Sequence, residues 1–242
     1  MKMKRFLQAL PLLILIFLPA GGRADLAEMN AGFERTYSPR GAAHLTISNI
    51  HGNINVLTWH RRTIAVRAVD TGAMSIEDQV RGNDIRVTVR RGTRDGTTDF
   101  DVSVPADTSL SLHNIMGKVD IQGVNGHISV KSFDGNVRIM NARAASVEVK
   151  VTTGDVIFDG ELVRGGSYSL QSMKGDIDVT LPKATSFDLV AKALTENINL
   201  SDFISNLSGA NRGVKGMRGT YLHGGSLLSL TAFNGRILLR KK

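Results

Sequence analysis

Leu45-Thr46-Ile47-Ser48-Asn49-Ile50-His51-Gly52-Asn53-Ile54-Asn55-Val56 and Leu110-Ser111-Leu112-His113-Asn114-Ile115-Met116-Gly117-Lys118-Val119-Asp120-Ile121 follow one template. Each places apolar residues seven and five positions before a glycine, and two and four positions after it. Alternation with a period of two marks a strand with one buried face. A glycine between two such pairs marks a tight bend, where positive φ carries no steric cost. The unit is therefore strand, turn, strand.

The template recurs around Gly126, Gly135, Gly154 and Gly175, and it closes the chain at Gly235. A degenerate copy at Leu189, Ala191, Ile198 and Leu200 has Glu196 in place of the glycine. Gly117, Gly126 and Gly135 are nine residues apart, whereas the later steps, including the one to Glu196, are 19, 21 and 21 residues. Two short steps make one long one. The expected fold is all-β: a parallel, β-helix-like solenoid of about 18–21 residues per rung, with strands stacked about 4.8 Å apart. Short strands at such spacing also suit an antiparallel sandwich of hairpins. Like residues recurring at one place in every unit favour stacking.

Between about Asn30 and Pro105 the texture changes. Ile64–Val69, Ile85–Val89 and Phe100–Val104 alternate but lie farther apart, and Thr71 to Arg81 has a weak helical pattern. This stretch reads as an N-terminal β-cap that hides the first sheet edge. Residues 25–105 thus hold the cap and first unit, and 106–242 the repeats, in one continuous domain.

Lys2, Lys4 and Arg5, an apolar run from Phe6 to Ala20, and Gly22-Arg23-Ala24 read as a signal peptide cleaved after Ala24. The run is 15 residues long with Gln8, Pro11 and Pro19, too short and interrupted for a spanning helix of about 20 residues. No other stretch approaches that length, so no transmembrane span is expected in the mature chain. Removing residues 1–24 takes away four basic residues and lowers the formal net charge from +8 to +4. Modest positive charge suits anionic lipids or polyanionic wall polymers; nucleic acid is not expected outside the cell. The chain has no cysteine, which excludes disulfides, thiolate metal sites, a cysteine nucleophile and a lipidated cysteine.

The signal peptide, the Ser48-to-Val56 unit, the Val102-Ser103-Val104-Pro105 strand and the repeated Gly-[Asp/Asn/Lys]-[Ile/Val] turns resemble the bacterial putative-adhesin domain of the DUF4097 type. That domain is related to the toastrack domains of envelope-stress proteins. The resemblance covers roughly residues 33–242. It implies a parallel β-solenoid outside the cytoplasm and no established enzymatic activity. The chain departs from the pattern at Glu196 and in the Gly-rich insertion from Gly209 to Gly225.

Residues that carry chemistry are scattered. The six histidines show no metal-binding spacing, and no metal or other cofactor is expected. Asp134, Asp155 and Asp176 flank turn glycines, and Asp120 and Asp178 fall on outward strand positions. A stacked carboxylate column could hold calcium or act on sugars, but Asp and Asn are also ordinary turn residues, and Lys118, Asn136 and Lys174 interrupt it. Gly209 to Gly219 lacks the Gly-Lys-Ser/Thr ending of a phosphate loop; its Arg212, Lys215 and Arg218, spaced by three, suit a basic loop touching an anionic polymer, or a plain flexible loop. Trp59, followed by His60, Arg61 and Arg62, is the one place where a ring and cations coincide, and a ring there could touch a glycan.

Three readings follow. The first is an exported, non-enzymatic cell-envelope protein, periplasmic, secreted or on the surface, whose β surface binds a wall or surface glycan or an envelope membrane protein. The second is a β-helical polysaccharide-active enzyme. The third is an envelope-stress signalling partner. No site argues for the second, and fold alone does not decide function.

Overall fold

The computed structural model describes residues 32–70, 75–90, 96–194, 197–200, 202–213 and 216–242, so the segment read as a signal peptide and Glu196 lie outside the described residues. The alternating stretches form strands. In order, they are β1 (Phe33–Tyr37), β2 (His44–His51), β3 (Ile54–Trp59), β4 (Ile64–Asp70), β5 (Ser75–Arg81), β6 (Asp84–Arg90) and β7 (Thr98–Pro105). Next come β8 (Ser109–Met116), β9 (Val119–Gln122), β10 (Ile128–Asp134), β11 (Val137–Ala142), β12 (Ser146–Thr153), β13 (Val156–Gly160), β14 (Ser167–Lys174) and β15 (Ile177–Leu181). The last are β16 (Phe187–Ala193), β17 (Ile198–Asn199), β18 (Leu207–Gly213), β19 (Gly216–Tyr221), β20 (Leu227–Asn234) and β21 (Ile237–Lys241).

Two mixed sheets hold all of them. Sheet I has ten strands in the order β1-β4-β7-β3-β9-β11-β13-β15-β21-β17, and sheet II has eleven in the order β18-β19-β16-β20-β14-β12-β10-β8-β2-β6-β5. The chain crosses from sheet II to sheet I at Gly52, Gly117, Gly135, Gly154, Gly175 and Gly235, and successive units pair in parallel in both sheets: β8 with β10 and β9 with β11, then β10 with β12 and β11 with β13. Register keeps like positions together. Leu110, Ile128, Val147, Tyr168 and Leu228 form one inward row, and Val119, Val137, Val156, Ile177 and Ile237 another. These residues are at most 1% exposed, so the two rows meet as the core between the sheets.

Antiparallel strands lie at both ends of the stack. At the N-terminal end β1 and β4 extend sheet I and β5 extends sheet II; at the other end β19 and β18 extend sheet II beyond β16. Three expectations change. Ser75–Arg81, within the weakly helical stretch, is strand β5 on β6, because its neighbour leaves an unpaired edge that a strand satisfies. Asn211 and Arg218 belong to a paired hairpin on β16, not to a flexible loop. The stack also departs from chain order: β20 lies between β14 and β16, and β21 between β15 and β17, so the C-terminal unit inserts ahead of the degenerate copy. The first unit is treated likewise, with β2 between β6 and β8 and β3 between β7 and β9.

The glycine corner is tightly stacked. Gly52, Gly117, Gly135, Gly154 and Gly175 all have φ in the left-handed region. A Cβ on Gly117, Gly135, Gly154, Gly175 or Gly235 would overlap the carbonyl of the glycine in the adjacent unit. Gly235 is outside the left-handed region, so close approach is its reason for being glycine. Gly126 is not a member of this row; it lies at another corner, against the Thr108 carbonyl, and its φ is not left-handed.

Candidate functional site

Two residues before each glycine of this corner the side chain points away from the core, since the inward positions are three, five and seven before it. That position carries Ile50, Ile115, Phe133, Thr152, Met173 and Phe233 in successive strands, Ile50 being partly buried against the core, and Leu194 follows the last residue of β16. Six of the seven are apolar, and Phe133 is 61% exposed. A parallel row two residues earlier reads Ser48, His113, Lys131, Lys150, Gln171, Thr231 and Lys192. Between the rows runs an open groove of about 560 Å³ lined by Ile115, Phe133, Met173, His113, Lys131 and Lys150, among others. Isolated exposed apolar residues are ordinary on a protein surface, but a continuous row is not.

The groove's electrostatics are positive. Lys150 pairs with Glu148 at 2.5 Å, and that contact holds the Glu148 carboxyl below its ordinary range. Burial, then Lys131 and Arg86, hold His113 below the ordinary 6.5. Hydrogen bonds from Arg236 hold Asp176 below 3.8, and those from Gly225 N–H and the Thr220 hydroxyl do the same for Asp188. In each case the unfolded chain binds more protons between the folded and unfolded values, so stability falls as pH falls through that interval. Two acid limbs are expected, one beginning near 6.5 from His113 and one beginning near 4.5 from Glu148 and continuing below 3.8 with the two aspartates. His113→Gln should flatten the upper limb of a plot of melting temperature against pH and leave the lower one.

The carboxamides and carboxylates of the glycine corner serve the backbone. Asn53 Oδ1 accepts the N–H of Lys118 (2.9 Å), Asn136 Oδ1 that of Asp155 (2.9 Å), Asp155 Oδ1 that of Asp176 (2.8 Å), and Asp176 Oδ1 that of Arg236 (2.8 Å). Each bond joins one unit to the next. Asp134 stands in a different row, with Met116, Thr153 and Lys174. Asp120 and Asp178 lie on sheet I, facing Arg138 and Arg240. Among the described residues no cluster of three or more His, Asp or Glu could hold a metal ion. Inside the same corner, Asn114 Nδ2 donates to the carbonyls of Gly52 and Gly117, both at 3.0 Å, and Asn49 Nδ2 to those of Gly52 (3.2 Å) and Thr98 (2.9 Å).

The other sequence-derived candidates lie apart from the groove. Trp59 is half-buried; its Nε1 donates to the Thr63 carbonyl at 2.7 Å, and Arg61 sits 5.1 Å over the ring, covering one face. A hollow of about 210 Å³ beside it is lined by His60, Arg61, Arg62 and Asp107. Arg218 is exposed on β19, Arg212 lies in β18, and Lys215 is outside the described residues. Arg212 and Arg218 lie on two paired antiparallel strands. The groove itself was missed, although the signal was present: aligning units on their glycines shows an apolar residue at an outward position.

No helix among the described residues is long and apolar enough to cross a membrane. The fold and the groove define an all-β protein of two mixed sheets with an unpartnered outer face. No family model and no curated relative matches the chain. Two solved structures are similar in outline. One is described as a putative cell adhesion protein from Clostridium sporogenes ATCC 15579, 12% identical, with 87% of this chain and 99% of that chain covered and a TM-score of 0.49. The other is described as a putative adhesin from Bacteroides fragilis NCTC 9343, 12% identical, with 87% and 96% covered and a TM-score of 0.40. Likeness at this level does not bear on function.

Proposed function

We propose that this chain is an exported, non-enzymatic binding and structural module of the cell envelope, of the adhesin-like kind, built as a β-solenoid whose side-chain rows face a partner. The observation that carries the reading is the apolar row, broken once at Thr152, beside a cationic row on the outer face of sheet II. Periodic stacking supports it physically: one unit repeated in register multiplies a single outward side chain into a linear surface, which suits binding better than a catalytic constellation does. The basic N-terminal segment with its apolar run supports export, and cleavage after Ala24 leaves Asp25 as the first residue.

The test uses the exported protein and separated wall-polymer and membrane fractions of bacterial envelopes. Saturable binding to one fraction is expected, weakened at least tenfold by Phe133→Asp and unchanged by Trp59→Ala. Turnover of any polysaccharide, or binding indifferent to Phe133 and lost with Trp59, overturns the reading.

A further inference from the structure

We propose that the groove on sheet II docks an amphipathic helix of a partner protein, one carrying an apolar stripe with an acidic row along one flank. The inference rests on the binding role given above and names the occupant. Length is the first argument. The outward residues that line the groove, from Ile50 to Met173, come one from each of five adjacent strands, and strands lie about 4.8 Å apart, so the groove runs for about 19 Å. A helix of about 13 residues has that length. One helical turn advances about 5.4 Å, close to the step between strands, so side chains at i, i+3, i+4 and i+7 meet successive rows. An extended strand laid the same way returns a side chain to the surface only about every 6.6 Å, and falls out of step at once.

The charge pattern selects the partner further. His113, Lys131 and Lys150 flank the groove on the side away from the corner. On the corner side Asp134, Asp155 and Asp176 stand among Lys118 and Lys174, and Asp176 is paired with Arg236. A flat anionic bilayer pressed on the row would meet those aspartates as well as the lysines. A helix is narrow enough to set its acidic row against the lysines alone. Lys150 is shared with Glu148, while Lys131 has no ion pair among the described residues and is the better placed to take a carboxylate. Thr152 supplies the anchor. It is the one small, polar member of the row, set between Phe133 and Met173, and the dip it leaves would seat one large apolar side chain of the helix.

The experiment measures anisotropy of fluorescein-labelled 21-residue peptides added to the exported protein. One peptide has Leu at i, i+3, i+4 and i+7 spacing with Glu along one flank, and the other has Lys for every Glu. Phosphatidylcholine vesicles with and without phosphatidylglycerol are tested in parallel, and sedimentation reports self-association. The Glu peptide is expected to bind at least tenfold more tightly than the Lys peptide, and Phe133→Asp to weaken it at least tenfold. Lys131→Glu with Lys150→Glu should reverse the preference between peptides. All these side chains are outward, so each variant should keep a cooperative melt within a few degrees of the parent, the loss of the exposed Lys150–Glu148 pair included, which separates binding from folding. Equal binding of both peptides, or none, overturns the helix proposal. Binding of anionic vesicles, or self-association, that is lost with Phe133→Asp assigns the face to lipid or to a second copy, leaving the binding role standing. Envelope binding indifferent to Phe133 removes both.

Discussion

Ending the chain at Gly225 should abolish its cooperative folding, although only two strands, β20 and β21, are removed. Stacking in chain order would make these the terminal unit, and their loss mild. In the observed order they are internal: β20 pairs with β14 on one side and β16 on the other, and β21 with β15 and β17. Leu228, Leu230, Ile237 and Leu239 are fully buried there. At about 2 kcal/mol for each buried aliphatic, their direct loss is on the order of 8 kcal/mol, comparable with the whole stability of an ordinary domain. The deletion also strands the apolar group of Phe187, Phe203 and Tyr221, whose rings pack within 5.4 Å of one another, because β16 reaches the rest of sheet II through β20. The truncated chain should accumulate as aggregate or be degraded, and any recovered material should be cut by protease between residues 182 and 225. A cooperative melt within a few degrees of the full chain would contradict the inserted order.

That order was not legible in the sequence, and the reason is chemical. Leu228 and Leu230 pair with Tyr168 and Leu170 on one side and with Leu189 and Ala191 on the other. Aliphatic rows accept any aliphatic neighbour, so alternation dictates which face a residue takes but not which unit lies beside it. What the template did dictate is visible position by position: the residues seven and five before, and two and four after, Gly117, Gly135, Gly154, Gly175 and Gly235 are all buried. Spacing alone equated Gly126 with the others, because two corners of one unit both need a small residue. The groove was legible only in part. Apolar residues at an outward position are visible once units are aligned, but the row's extension past Met173 depends on the inserted β20, which brings Phe233 beside it.

The glycine row supplies the second large effect. Gly154→Val should lower the melting temperature by roughly 8–16 °C, whereas Gly165→Ala should cost far less. Both glycines have positive φ, +137° and +77°. The difference is the surroundings. A Cβ on Gly165 meets nothing within 4 Å, so its cost is backbone strain alone, about 1 kcal/mol. On Gly154 it would overlap the Gly135 carbonyl, which belongs to the next unit's corner and has no room to move, since Gly135 itself lies against Gly117. Strain of about 1–3 kcal/mol is then joined by an overpacking cost of similar size. A total of about 4 kcal/mol corresponds to roughly 8–16 °C in a chain of this length. Displacing that carbonyl also pulls Asn136 away from the Asp155 N–H it accepts at 2.9 Å, so the damage spreads along the corner. Calorimetry of the two variants decides it: equal shifts would mean that φ alone selects these glycines, and a larger shift at Gly154 that close stacking of the units does.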